Sequence, residues 1–188
     1  MPYSGIARIL SVDPGTNQMG VAITTLSFPG RLCTIDYVNT INIDRQHKDH
    51  HALDDHGGEL TKQLVIRDVM LDLIQLYQPH VVVMESPYMG RFAQAFKLLT
   101  KCMHTSQLTT YGYDPDLPFV FYDPATIKQH IGVKGTSGDK NLMTEAIRSR
   151  MGSEIILDPH LFSLLDEHSV DAIAVGYAHA KVLCLGDV

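Results

Sequence analysis

Asp13, Glu85, His168 and Asp171 are the residues of this sequence with the types and placement to do chemistry together. Asp13 ends the apolar run Ile9-Leu10-Ser11-Val12 and is followed by Pro14 and Gly15, a pairing that makes a tight turn. Glu85 ends a second run, Val81-Val82-Val83-Met84, and a carboxylate directly after such a run needs a reason. His168 and Asp171 are three apart, Glu167 and Asp171 four apart, so on a helix either pair shares one face. Carboxylates gathered without a countercharge repel and raise each other's pKa. A hard divalent cation relieves that conflict, and oxygen donors suit Mg²⁺, with Mn²⁺ as a substitute. Two such ions in one site can clamp the attacking and leaving oxygens of a phosphodiester. Each residue has a plainer reading: Asp13 as a turn residue, Glu85 as a helix cap, His168 as structural, Asp171 as a partner of the helix dipole. Four plain readings at once are less economical than one shared site.

These side chains need elements that carry them to one place. Residues 6–13, 19–27 and 32–43 read as three consecutive strands, an antiparallel meander. Apolar residues from Leu60 to Leu76 recur at helical spacing, and Pro79 stops that helix after Tyr77. Val81 to Met84 reads as a strand buried on both faces. A helix from about Arg91 to Gln107 follows, then a fifth strand at Phe119 to Tyr122 and a short helix from Pro124 to Ile131. Further helices are expected from Asn141 to Arg150 and from Glu167 to Leu185, with Asp158-Pro159 capping a segment between them. The order implies an α/β fold: a five-stranded mixed sheet, three antiparallel strands then parallel ones, with helices on both faces. Parallel neighbours present their carboxyl ends on one sheet edge, so Asp13 and Glu85 would meet there.

At 188 residues the chain reads as one domain spanning 1–188, large enough for a sizeable core. With 45% hydrophobic and 19% charged residues it has the composition of an ordinary globular protein. Its apolar runs are too short for a membrane span, and no targeting peptide precedes the first strand, so a cytoplasmic protein is expected. The three cysteines, Cys33, Cys102 and Cys184, read as reduced apolar fillers. The net charge of −6 does not advertise a nucleic-acid binder, although a cluster of metal-binding acids inflates it. The stretch from Asp44 to Gly58 carries His47, His50, His51 and His56 among aspartates; a solvated connection is favoured there over a metal site. The glycine-rich loop from Gly132 to Lys140 lacks the Gly-Lys-Ser/Thr ending of a nucleotide-binding loop. Arg91, Lys97, Lys101, Lys128, Arg148 and Arg150 are candidates for phosphate contact, against the plain reading of solvated helix faces.

With these residues in view, the chain resembles the RuvC-type Holliday-junction resolvases of the ribonuclease-H-like superfamily over most of its length. Ile9 to Ile23 looks like their opening strands, with Asp13 as the first acid. Val82-Val83-Met84-Glu85-Ser86-Pro87-Tyr88-Met89-Gly90 looks like their second motif, with Glu85 as the second acid and Tyr88 as an aromatic that stacks at the junction centre. Phe92 to His104 resembles a helix that contributes to the dimer interface. Lys128 and Lys140 fall where relatives carry basic residues for the scissile DNA, and Lys134 is an alternative to Lys140. Asp171 matches the last acid. His168 stands where many relatives have Asp and some have His, leaving open whether Glu167 or Asp166 also binds metal. The resemblance implies a homodimer that uses two Mg²⁺ ions to nick opposed strands of a four-way junction, leaving 5′-phosphates. The divergent motifs suggest a distant branch, of a bacterium or a phage.

Three rivals remain at this stage. A nuclease of the same fold could act on other branched DNA or on structured RNA. Asp-x-Gly-Thr phosphate loops also open actin-like ATPases and sugar kinases, but those need a second lobe for which 188 residues leave no room. A module that binds junctions without cutting them is the third.

Overall fold

A computed structural model describes residues 5–87, 93–133 and 141–185. Strands β1 (Ile6–Asp13), β2 (Gln18–Ser27) and β3 (Leu32–Asn42) form the expected meander, with Val12 opposite Val21 and Asp13 opposite Gly20. β4 (Val81–Glu85) lies parallel to β1, and β5 (Phe119–Tyr122) parallel to β4. A sixth strand, β6 (Ile155–Ile156), pairs parallel with β3, so the sheet order is β5-β4-β1-β2-β3-β6. This corrects the five-strand expectation. Two residues carry no readable periodicity, and β6 exists only because β3 offers it an edge.

The alternation of side chains along each strand divides the core between two faces. Ala7, Ile9, Val81 and Val83 face the helices α4 (Pro124–His130), α5 (Asn141–Arg148) and α7 (Glu167–Leu185). Leu10, Val12, Val82 and Met84 face α2 (Leu53–Tyr77) and α3 (Ala93–Tyr113). The run from Val81 to Met84 therefore serves both cores. Each such burial is worth about 1.5–3 kcal/mol. α7 is apolar nearly all round because it lies across β1, β2 and β3, and Ala172 to Ala180 is buried.

The largest departures from the expected boundaries lie in two stretches, while α5 ends at Arg148, two residues short of Arg150. The segment expected as connection begins with a short helix, α1 (Ile43–Gln46), and a 3₁₀ turn (His47–Asp49), and α2 starts at Leu53 with a kink at Gly57. α3 continues to Tyr113, six residues beyond Gln107. There Thr109 and Thr110 turn their hydroxyls back to the carbonyls of Thr105 and Ser106, at 2.7 and 2.9 Å, so polar residues sit within the helix. A last short helix, α6 (Pro159–Ser163), is capped by Asp158 as expected. Among the described residues no helix is long and apolar enough to cross a membrane.

Candidate active site

The parallel pairing of Val12 with Met84 makes Asp13 and Glu85 the next residues of adjacent strands, on the carboxyl-terminal edge of the sheet. α7 reaches the same edge because Gly20, opposite Asp13, carries no side chain. A Cβ at Gly20 would lie 2.0 Å from the carbonyl oxygen of His168. The close approach sets His168 Nδ1 2.8 Å from Asp13 Oδ2. Asp171, one turn further along α7, presents its carboxylate to the same space, since it and Glu85 each feel the charge of Asp13.

The electrostatics are those of crowded, half-buried acids. Burial, with the charges of Asp13 and Asp171 added, pushes Glu85 up to about 8, against a smaller opposing pull from Lys128. Burial and Asp13 push Asp171 up to about 7, with His168 opposing. Asp13 is also raised by burial, although its hydrogen bond to His168 pulls the other way. That same bond raises His168. Both members of the pair move up because Asp13 is the more deeply buried and desolvation outweighs its partner. Among the described residues Glu85 and Asp171 have no direct ion pair. Three carboxylates, each raised chiefly by burial, beside an imidazole are by chemical type a donor set that fits a hard divalent cation. No three His, Cys, Asp or Glu side chains among the described residues close up into a coordinating trio.

The surrounding acids have separate work. Asp166 caps α7, its Oδ1 accepting from the Ser169 amide at 2.9 Å and from the Thr40 hydroxyl at 2.5 Å. Burial acts on Asp166 but these bonds overcome it and hold its carboxyl below the usual range. Glu167, exposed in the first turn of α7, adds negative charge felt by Asp13, His168 and Asp171. Lys128 on α4 is near enough to lower both Glu85 and Asp171. Asp123, which the sequence reading passed over, raises Glu85 from the N-cap of α4, where it accepts from the amides of Ala125 and Thr126. The pair Asp123-Pro124 was the readable signal for that cap.

The other candidates are dispersed. Lys97 is exposed on α3, and Lys101 pairs with Glu59. Arg148 lies over the ring of Phe162 and Arg150 over that of Tyr177, nine residues along α7 from His168, about 13 Å at helical rise. Tyr88, Arg91, Lys134 and Lys140 lie outside the described residues. In the histidine-rich segment, His50 stacks on His51 at 4.4 Å and faces Asp68 at 3.4 Å, the contacts of a folded connection.

No model of a known protein family matches the chain. Individual relatives do. The crossover junction endodeoxyribonuclease RuvC of Cytophaga hutchinsonii is 26% identical over 171 residues, covering 91% of this chain and 74% of that protein. The RuvC of Halorhodospira halophila is 28% identical over 183 residues, covering 93% of this chain and 90% of its own. The structure of Thermus thermophilus RuvC in complex with a Holliday junction substrate superposes with a TM-score of 0.70 at 16% identity, over 95% of this chain and 96% of that one. The chain has the ribonuclease-H-like fold of those proteins and is a distant relative of the RuvC-type Holliday-junction resolvases.

Proposed function

We propose that the protein is an endonuclease that resolves four-way DNA junctions, acting as a divalent-metal-dependent homodimer in the cytoplasm. One observation carries the reading: Asp13, Glu85 and Asp171, each held above its ordinary pKa, share one sheet edge with His168 on a scaffold like that of RuvC. Asp13, Glu85, Asp171 and His168 would hold the ions, Mg²⁺ or Mn²⁺, two per site. When bound, they supply an activated water and charge stabilisation for the leaving 3′ oxygen. The chain's own residues do the rest. His168, through Nδ1 on Asp13, fixes the orientation of that carboxylate. Lys128, from α4, offsets negative charge beside Glu85 and Asp171. Lys97, Arg91, Lys134 and Lys140 are the proposed phosphate contacts, with Lys140 at the scissile group, and Tyr88 stacks at the crossover. Paired, symmetric nicks leaving 5′-phosphates follow from two such sites related by a two-fold axis on a nearly two-fold substrate.

The test is cleavage of a labelled mobile junction in Mg²⁺ or Mn²⁺, beside linear duplex, flap and RNA–DNA hybrid. Paired nicks on the junction, absent with Asp13→Asn, are expected. Equal cutting of flap or hybrid would replace junction resolution with a broader branched-substrate activity. Junction binding without cutting in either metal would sink the catalytic assignment.

A further inference from the structure

Asp13 leads straight into the turn of residues 14–17, and that turn is held from two sides by groups outside the acid cluster. On one side, Lys62 of α2 donates to Asn17 Oδ1 at 2.7 Å and pairs with Asp44 Oδ1 at 2.8 Å. The Asp44 amide closes the triangle by donating to the Asn17 carbonyl at 3.1 Å, and Lys48 steadies Asp44 from one helical turn away at 3.4 Å. On the other side, Cys102 of α3 is buried beneath the turn. Burial pushes its thiol up to about 12, while the Gly15 amide, a donor to the sulfur, pulls the other way and Asp13 adds a repulsive charge. The turn leaves no room for a side chain at Gly15, since a Cβ there would sit 1.6 Å from the Gln18 carbonyl oxygen. Thr16, Lys62 and Cys102 line one crevice between the turn, α2 and α3.

We propose that Lys62 and Cys102 are positioning residues: together they fix the turn after β1, and so the place of Asp13 relative to Glu85 on the neighbouring strand. The inference rests on the reading that Asp13 holds the divalent ion. Neither residue reaches the acids as a ligand. Each sets a backbone from which the ligand side chain projects, and carboxylate separation decides whether two acids can share one cation. The α2–α3 layer thereby becomes part of the site's architecture, not only a cover for the sheet. Exposed ion pairs add little to stability, so loss of the Lys62 clasp leaves a folded chain.

The experiment measures Mn²⁺ binding to the DNA-free protein by electron paramagnetic resonance, thermal unfolding in EDTA, and junction cleavage. The variants are Lys62→Met, Lys62→Arg, Cys102→Ala and Cys102→Ser. Lys62→Met and Cys102→Ala are expected to weaken Mn²⁺ binding severalfold, short of the roughly tenfold lower end for groups that hydrogen bond a ligand directly, and to lower kcat with KM for the junction unchanged. Lys62→Arg and Cys102→Ser, which keep a donor and an acceptor respectively, recover most of both. Wild-type Mn²⁺ affinity in Lys62→Met and Cys102→Ala overturns the positioning role. So does a loss matched by the Arg and Ser variants, or one that merely follows the unfolding temperature. A wild-type protein that takes up no Mn²⁺ overturns the metal reading itself, a result distinct from unaffected variants. If Cys102→Ala does not fold, the Lys62 pair decides the matter alone.

Discussion

Glu85 and Asp171 hold their protons more tightly than exposed acids because burial disfavours their charged forms and Asp13 repels them. Their folded-state values of about 8 and about 7 stand above the ordinary 4.5 and 3.8. Protonation therefore favours the folded chain. The contribution is whole below the unfolded values and is lost as pH rises through the folded ones. Without metal, the unfolding temperature should fall as pH climbs from about 5 to about 8. Added Mg²⁺ should raise it more at pH 8 than at pH 6, since ions and protons compete for the same oxygens. Calorimetry in EDTA and in Mg²⁺ reads this directly, and a metal shift that is flat with pH would remove these acids from the site. His168 calls for a separate comparison. Replacement by Ala should lower junction cleavage about tenfold to a hundredfold by freeing Asp13, whereas His168→Asp, which keeps a metal-binding side chain, should retain most of the rate. Equal loss in both variants would mean that the imidazole itself is required.

At the level of elements, the site depends on how closely α7 lies on the β1–β2 pair. Gly20 is the point of contact, with the His168 carbonyl where its Cβ would be. Gly20→Ala should lift the start of α7, lengthen the His168–Asp13 hydrogen bond, and cost about 1–3 kcal/mol as overpacking does. Cleavage should fall by more than the loss of folded protein explains. Denaturant unfolding measured beside cleavage separates the two effects, and an unchanged rate per folded molecule would show that the approach of α7 is not what brings His168 to Asp13. The cap contributes to the same geometry. Asp166 fastens the first turn of α7 to Thr40 of β3, so the helix start is held by hydrogen bonds as well as by packing.

For the whole molecule the puzzle is a net charge of −6 on a protein proposed to bind DNA. Part of that charge sits in the site, where it opposes the approach of phosphates until cations offset it. Above pH 8, where both acids would be ionised without metal, Glu85→Gln combined with Asp171→Asn should therefore bind the junction more tightly than wild type in EDTA, while cutting nothing in Mg²⁺. Gel-shift titrations at fixed low salt test this, the salt being stated because such affinities depend on it. Weaker binding by the double variant would place the DNA contacts away from the acids.

Much was legible in the sequence because it depended on local pattern. The Val81–Met84 run announces a strand buried on both faces; Asp13-Pro14-Gly15 announces a strand end and a turn; the final helix, expected from roughly Glu167, begins there. The four candidate residues could be singled out because each lies near the end or start of an element that periodicity marks. What local pattern does not encode is the contact between elements distant along the chain. β6 is a strand only through its pairing with β3, α3 outlasts its apolar stripe through threonine hydroxyls bonding backward, and the helical turns among the histidines arise against α2. Asp166 and Glu167 were indistinguishable as neighbours in sequence; only the reach of Thr40 across the fold made the first a cap. The turn after Asp13 likewise meets Lys62 and Cys102, 49 and 89 residues beyond Asp13. The sequence determined which residues could act together, by type and by element. Tertiary packing decided how closely they stand and which of them hydrogen bonds had already claimed, because distances between remote segments are set by the sheet register and by the absence of a side chain at Gly20.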